Sequence, residues 1–185
     1  ELGDFVNQPF EARVRKTGTG LRLQLERNGA LWNGEAHHDV SVRKTLSFRQ
    51  DSGTVMAEYR LKNRGRMPVP VWFGVEVNVG LQAGDAPDRF YYAEEANIED
   101  PRLRSMGELK EIRMIGLRDE WLKVDVRLES SVPATFWRFP LETISLSEAG
   151  FERIFQSSVL LPNWKFVLED EWNVQLAFHL RGISS

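Results

Sequence analysis

The feature that most constrains this chain is a period-two alternation of apolar and polar residues. In Val69–Leu81 every odd position is apolar, and Val55–Leu61 and Trp172–Leu180 repeat the pattern. Successive side chains of a strand point to opposite faces, so this alternation indicates antiparallel strands that are buried on one side. Helical periodicity is limited to, at most, one turn near Leu103–Leu109. The chain is therefore predicted to be all-β, with about ten strands.

Turn signals separate the alternating runs. Asn-Gly and Asp-x-Gly sequences supply the positive φ values that tight hairpins need, and here turns are predicted at Asn28-Gly29, Asn33-Gly34, Asp51-Ser52-Gly53, Asn63-Arg64-Gly65 and Ala149-Gly150. The stretch WRFPLETISLSEAGFERIFQSSVLLPNW, residues 137–164, predicts two long strands joined at Glu148-Ala149-Gly150. Its apolar positions change face near Pro140–Thr143, which predicts a bulge or bend there.

The architecture follows from the number and length of these strands. About ten strands, several of them longer than usual, predict a large antiparallel β-sandwich with one concave face. The 185 residues, 42% of them hydrophobic, supply a sizeable core, and no linker divides them. Residues 1–185 are therefore predicted to form a single domain. The first residues, Glu-Leu-Gly, lead us to expect the C-terminal part of a longer protein.

Composition argues against several classes of function. The formal charge of −3 and the lack of a basic run argue against nucleic-acid binding. The chain has no cysteine, so disulfides, thiol catalysis and cysteine metal sites are absent; this fits a reducing compartment, and we expect a cytoplasmic location. No apolar run approaches the roughly 20 residues that a membrane helix needs, so no membrane contact is expected.

One strand face carries a candidate carbohydrate-binding surface. Trp72, Glu76 and Asn78 occupy even positions of Val69–Leu81, between glycines that let a ligand approach the backbone. An indole, a carboxylate and an amide suit a sugar, because its apolar face stacks on the ring and its hydroxyls accept and donate hydrogen bonds. The long aromatic segment Gln82–Glu108 is predicted to be a loop that brings Tyr91 or Tyr92 to this surface. The alternative is that Glu76 and Asn78 satisfy a buried turn or meet arginines from the other sheet.

Two further polar residues, Arg138 and Glu142, complete the predicted site. They are four positions apart on an extended run, roughly 13 Å, so they cannot pair with each other. An unpaired buried charge is costly, and a bridge between Arg138 and Glu76 would satisfy both groups. We therefore predict that Glu76 and Arg138 are coupled.

Signals for catalysis or metal binding are weak. His37 and His38 are neighbours that point to opposite faces of a strand and make a poor chelate, and no known catalytic motif is present. No catalytic residue, metal or other cofactor is predicted. Calcium is kept as a lesser alternative, because oxygen ligands cluster in one segment at Asp85–Asp88, Glu94 and Glu95, without EF-hand spacing.

Two stretches resemble a known family. PVWFGVEVNVGLQAGDAPDRFYY, residues 70–92, and residues 137–164 are similar to the C-terminal β-domain of family 57 glycoside hydrolases, the α-amylase and 4-α-glucanotransferase group. SVRKTLSFRQ, Ser41–Gln50, looks like the strand that opens that region. The resemblance covers nearly the whole chain. It implies a galactose-mutarotase-like supersandwich whose catalytic carboxylates lie on an upstream barrel domain.

The resemblance leads to one expectation and two alternatives. We expect an accessory domain, carbohydrate-binding or scaffolding, of an enzyme that acts on α-glucans; its partners would be the catalytic barrel and a maltooligosaccharide. The first alternative is a free-standing sugar epimerase, in which His179 and Glu76 would act as acid and base. The second is a purely structural module that packs one sheet on its neighbour.

Overall fold

The computed structural model describes residues 2–147 and 150–183, and this part of the chain is all-β and contains no helix. Its eleven strands are β1 Glu11–Thr17, β2 Gly20–Asn33, β3 Ala36–Arg49, β4 Thr54–Asn63, β5 Val69–Gly74, β6 Val77–Val79, β7 Arg89–Tyr92, β8 Gly107–Asp119, β9 Val124–Ser147, β10 Gly150–Leu168 and β11 Glu171–Gly182. Leu103 and Arg104 form a turn that leads toward β8, so the single helical turn that we considered there is absent.

The chain divides into two compact units. The first comprises Glu1–Trp72, Ser130–Val132 and Lys165–Phe178, and the second comprises Phe73–Glu129, Pro133–Trp164 and His179–Ser185. The prediction of one domain over residues 1–185 stays a prediction.

The first unit follows the alternation seen in the sequence. Strands β1, β2, β3, β4 and β11 are hydrogen-bonded neighbours in that order. Tyr59 and Leu61 of β4 are buried, as are Val174 and Leu176 of β11, whereas Gln175 is exposed. The period-two pattern therefore predicted the buried face of these strands, except at the end of β11, where Leu180 is exposed.

In the second unit, antiparallel ladders join β7 to β8, β8 to β9, β9 to β10 and β10 to β6. Its largest fully buried side chains lie on β7, β8, β9 and β10 and in the segment before β8. They are Tyr91, Leu103, Ile112, Ile115, Leu117, Leu128, Phe136, Val159 and Leu160.

The long hairpin of β9 and β10 confirms a second prediction. Phe155 pairs with Glu142 and Ser157 with Leu141, so Gln156 is an extra residue on β10. The bulge thus lies opposite the place where the sequence predicted an irregularity, with the extra residue on the partner strand. The predicted turn at Glu148 and Ala149 lies outside the described residues.

Two predictions about strand boundaries are wrong. Asn28-Gly29 is not a turn, because β2 continues through it and pairs with β3 on both sides. A side chain on Gly29 would collide with the Asp4 carboxylate, so this glycine permits close packing rather than chain reversal.

The predicted strand Val69–Leu81 is also interrupted, between Gly74 and Val77. There the Val75 N–H donates to the Pro162 carbonyl at 3.0 Å, outside the regular ladder. In addition, the segment Gln82–Glu108 is not wholly a loop, because it contains strand β7.

Candidate functional site

Trp72 is the aromatic residue of the predicted carbohydrate-binding surface that is exposed. It lies on β5 in the first unit, and 56% of its surface is exposed. The Lys165 ammonium is 4.0 Å from the centre of the indole ring, a distance at which cation–π attraction is strong. The lysine covers part of one ring face, so a sugar would stack on the other face or displace it.

Glu76 and Asn78 are also exposed and lie in the second unit. The Asn78 amide donates to Glu76 Oε1 at 3.0 Å. The two side chains therefore share a face, as the alternation predicted, and present a carboxylate and an amide next to each other.

The structure gives Tyr91 a different place from the one that we predicted. Its ring is 1% exposed, its hydroxyl donates to the Leu103 carbonyl at 3.2 Å, and the Arg138 guanidinium lies 5.0 Å from its ring centre. Burial raises the pKa of the Tyr91 hydroxyl. Because both the ring and the hydroxyl are engaged inside the second unit, Tyr91 has no face available for a sugar.

Tyr92 is half-buried and belongs to a polar network on β7, β8 and β9. Its hydroxyl donates to Asp125 Oδ1 at 2.7 Å and accepts from Arg127 Nε at 3.0 Å. Arg127 also pairs with Glu94 at 3.2 Å. Burial, together with the neighbouring carboxylate, raises the pKa of the Tyr92 hydroxyl. The hydroxyl is thus held by protein groups.

Arg138 does not pair with Glu76. The cross-strand register aligns Arg138 with Leu160 and Leu160 with Val77, so these three side chains share one face, and Glu76, which precedes Val77, points to the other. Within the described residues, Arg138 donates instead to the Ser105 hydroxyl, and its Nε is buried with no hydrogen-bond partner. Burial lowers the pKa of the Arg138 guanidinium. The predicted bridge is wrong because the two groups lie on opposite faces of the sheet.

Glu142 lies between two arginines. Arg104 Nη2 donates to it at 2.9 Å, and Arg153 Nη1 is 3.7 Å away. Arg104 also pairs with Asp85, so this cluster ties the segment after β6 to β9. The arrangement is that of a structural ion-pair network, and the predicted contact of Glu142 with a sugar stays a prediction.

The epimerase alternative requires an acid and a base around one sugar ring. His179 Nε2 lies 3.6 Å from Glu129 Oε2, so its carboxylate neighbour is Glu129 rather than the predicted Glu76. In this arrangement the imidazole and the carboxylate contact each other and do not flank a sugar ring. The other histidines behave as predicted: His37 and His38 are partners of Trp32 and Leu31 and point to opposite faces.

The carboxylates proposed for calcium each meet a different basic or backbone group. Arg104 contacts Asp85, Arg89 lies 3.7 Å from Asp88, and Arg127 contacts Glu94. Among the described residues, no three histidine, aspartate or glutamate side chains are grouped in a way that could hold a metal ion. Calcium binding stays a prediction without structural support.

The first unit also carries a shallow groove that was not predicted from the sequence. It is lined by Asp4, Asn28, Gly29, Ala30, Trp32, His37, Asp39 and Arg64, and its volume is about 320 Å³. The groove lies on the β2–β3 hairpin, whose turn contains Gly34 at φ +63°. The sequence predicted a turn at Asn33-Gly34, whereas the two loop residues are Gly34 and Glu35, so Asn33 pairs with Ala36 and Trp32 with His37.

No described helix has the length and apolar character needed to span a membrane.

Comparison with known proteins supports the predicted family. A family model described as "Alpha-amylase/4-alpha-glucanotransferase, C-terminal" matches residues 1–178. The 4-alpha-glucanotransferase of Thermococcus litoralis is 30% identical over 156 residues, which cover 84% of this chain and 19% of that protein. Alpha-amylase 1 of Dictyoglomus thermophilum is 29% identical over 142 residues, 75% of this chain and 20% of that protein.

Solved structures agree with the predicted fold. The crystal structure of the 4-alpha-glucanotransferase from Thermococcus litoralis superposes with a TM-score of 0.67 at 26% identity, over 97% of this chain and 23% of that chain. A galactose mutarotase related enzyme from Lactobacillus acidophilus gives a TM-score of 0.64 at 9% identity, over 97% of this chain and 73% of that chain, and shows the fold alone. The predicted all-β, galactose-mutarotase-like sandwich is confirmed.

The chain thus spans about a fifth of the length of the curated relatives that it matches, which are named alpha-amylases and 4-alpha-glucanotransferases. Because the family model matches nearly all of this chain, from residue 1 to residue 178, the chain belongs to the alpha-amylase/4-alpha-glucanotransferase C-terminal domain family.

Proposed function

We propose that this chain is an accessory domain of an enzyme that acts on α-glucans, and that the catalytic residues lie on an upstream domain. The observation that carries the proposal is the family match over residues 1–178, combined with coverage of only about a fifth of each relative. The assignment to glycoside hydrolase family 57, an upstream barrel and a cytoplasmic location belong to the same proposal.

The side chains in this chain support a non-catalytic role. Glycosidases use two carboxyl groups on either side of the scissile bond, roughly 5–9.5 Å apart. Glu142 is held by arginines, and Glu76 accepts from Asn78. These carboxylates are engaged in contacts within the domain, which suits structure or weak ligand binding better than acid–base catalysis.

Binding of the glucan is the first part of the proposed role. Exposed Trp72 offers an aromatic face, and exposed Glu76 and Asn78 offer hydrogen-bonding groups. A domain that binds glucan weakly would raise the local concentration of substrate for a linked catalytic domain. These residues remain the predicted carbohydrate-binding residues.

The activity experiment is a product analysis. The purified chain is incubated with maltooligosaccharides of defined length, and we expect that neither shorter nor longer products appear. Turnover by the chain that disappears in Glu76→Gln would contradict the proposal, because it would place the catalytic site here.

A scaffolding role is favoured by a separate observation. On the β9–β10 hairpin, Leu146 pairs with Phe151, and Ile144 lies on the same face. These side chains are highly exposed, Phe151 at 82%. Contiguous exposed apolar groups on a strand pair mark contact surfaces. We propose that this hairpin face packs against another part of the full-length enzyme.

Hydrogen–deuterium exchange tests the scaffolding role. Amides of the strand segments 144–146 and 151–153 are compared between the isolated chain and the full-length enzyme. We expect slower exchange in the full-length enzyme, because docking excludes water and limits fraying. Equal exchange rates in both would contradict the docking of this hairpin and leave the glucan-binding role unaffected.

A further inference from the structure

The groove of the first unit is built by the register of one hairpin. In the β2–β3 ladder, Trp32 pairs with His37 and Ala30 with Asp39. Cross-strand partners point to the same face of a sheet, so these side chains form a continuous surface along the hairpin, and Asn28 extends the row two residues further along β2. The row ends at the turn of the hairpin. The N-terminal segment runs beside this end of β2, where the Trp32 N–H donates to the Leu2 carbonyl at 2.7 Å.

An aromatic wall closes one end of the groove. Trp32 is 42% exposed, and the His37 ring lies against it edge to face, with ring centres 5.6 Å apart and planes at 69°. This arrangement is a favourable one for aromatic pairs, and it restricts the rotation of the indole. The exposed part of Trp32 therefore offers a fixed apolar face to a ligand.

Planar polar groups form the rest of the wall. Arg64 Nη1 donates to Asn28 Oδ1 at 3.2 Å, and the Arg64 backbone N–H donates to the Asp39 carbonyl at 2.9 Å. The first contact holds the Arg64 guanidinium against the Asn28 amide, and the second fixes the Arg64 backbone beside β3. The Asp39 carboxylate lies 3.8 Å from His37 Nδ1 on the same groove. The three groups together offer several donors and acceptors in fixed planes, as adjacent sugar hydroxyls require.

The charge of the groove is balanced, which favours a neutral ligand. Asp4 lines one end, but its carboxylate is paired with Arg27 and accepts from the Ala30 N–H at 2.9 Å. Burial opposes ionisation of Asp4, yet these hydrogen bonds and the arginine lower its pKa overall. The charge of the Asp4 carboxylate is offset by Arg27. The remaining charged groups, Asp39 and Arg64, have opposite signs, so the groove favours neither an anion nor a cation.

The size of the groove limits the ligand. A volume of about 320 Å³ lies at the small end of ligand sites, which run from about 300 to 1,000 Å³. The groove is shallow and open to solvent, so the rest of a longer sugar chain would lie outside it. It suits one or two sugar rings of a longer oligosaccharide.

We infer that this groove binds one or two glucose units of a neutral α-glucan, with Trp32 stacking on a sugar face and Asn28, Asp39 and Arg64 bonding to its hydroxyls. The inference rests on the proposed function, because the geometry selects a neutral sugar and the family supplies the α-glucan. The groove was not predicted from the sequence. It shares no residue with the predicted surface of Trp72, Glu76 and Asn78.

The test is titration of the ¹⁵N-labelled chain with maltotetraose, followed through the indole N–H signals of the six tryptophans. Trp32→Phe identifies the signal of Trp32, which we expect to shift with the sugar. Trp32→Ala should weaken binding about tenfold, by analogy with bases stacked on aromatic rings. Arg64→Gln should weaken it about two- to tenfold through lost hydrogen bonds. Trp121→Ala is the matched control, since Trp121 is an exposed tryptophan of the other unit.

The outcomes distinguish two claims: that the chain binds glucan, and that the groove is where it binds. If the wild-type chain binds and Trp32→Ala and Arg64→Gln bind equally well, the groove is not the site, while the proposed glucan binding stands. If the wild-type chain shows no shifts at millimolar maltotetraose, glucan binding by this chain and the inference are both overturned. Circular dichroism reports whether Trp32→Ala is folded; if it is not, Arg64→Gln and Asn28→Ala carry the test.

Discussion

The ion pair at the end of β8 allows a quantitative prediction of stability. Asp119 is 0% exposed; its Oδ2 accepts from Arg89 Nε at 2.8 Å, and its Oδ1 accepts from the Leu122 N–H at 2.8 Å. One carboxylate therefore joins β7 to β8 and also closes the turn that leads into β9. Asp119→Ala removes both contacts and leaves a mostly buried guanidinium without its main partner.

The cost follows from the burial of the pair. Removing one partner of a buried ion pair typically destabilises a protein by about 3–5 kcal/mol. The Arg89 side chain is 12% exposed and has a second, longer contact with Asp88 at 3.7 Å, so we expect the lower half of this range, about 3–4 kcal/mol. For a chain of this size, each kcal/mol lowers Tm by about 2–4 °C, which gives a fall of about 6–16 °C.

The assay is chemical denaturation followed by tryptophan fluorescence, together with thermal unfolding followed by circular dichroism. The matched control is Asp51→Ala, because Asp51 pairs with Arg49 at 2.9 Å on the exposed surface. Exposed pairs contribute at most about 1 kcal/mol, so this control should unfold almost as the wild type does. Equal destabilisation by the two variants would refute the reasoning that burial sets the value of the pair.

Three further predictions follow from the contacts described above. Alanine substitutions at Glu76 and Arg138 should be additive within about 0.5 kcal/mol in a double-mutant cycle, because the residues point to opposite faces; a larger coupling energy would restore their pairing. Gly116→Ala should destabilise the chain by about 1–3 kcal/mol, since the new methyl group overlaps a tyrosine ring, whereas Gly18→Ala, where nothing lies within 4 Å, should not. The lowered pKa of Asp4 predicts that its contribution to stability is present above its ordinary pKa of 3.8 and is lost as the pH falls through its lower folded-state value; urea titrations at several pH values should show this loss in the wild type and not in Asp4→Asn.

The buried faces of the strands were predictable because alternation is a local property. Val174 and Leu176 are buried and Gln175 is exposed simply because neighbouring side chains point in opposite directions. The strand β7 was missed for a related reason. Its four residues, Arg89–Tyr92, are too few to display a period, so Tyr91 was expected on a loop rather than in the core.

The groove shows which parts of a site a sequence reveals. The Asn33-Gly34 signal located the hairpin, but Asn-Gly as the two central turn residues would pair Trp32 with Glu35. The loop residues are instead Gly34 and Glu35, which pairs Trp32 with His37. Arg64 reaches the groove from the end of β4 and Asp4 from the N-terminal segment. Contacts between positions so far apart in the chain depend on tertiary packing, which local patterns do not encode.

The central claim is that this chain binds α-glucan, and calorimetric titration of the wild-type chain with maltoheptaose tests it most directly. We predict saturable binding with a Kd of about 1 mM, equivalent to about −4 kcal/mol, since a shallow groove with one stacked ring supplies little more. The β-linked cellohexaose is the control. We expect it to bind several-fold more weakly, because a straighter chain would not place its ring on Trp32 and its hydroxyls at Asn28 and Arg64 at the same time. An absence of heat at millimolar maltoheptaose would contradict α-glucan binding by this chain. Equal affinity for both sugars would contradict selectivity for the α-linkage.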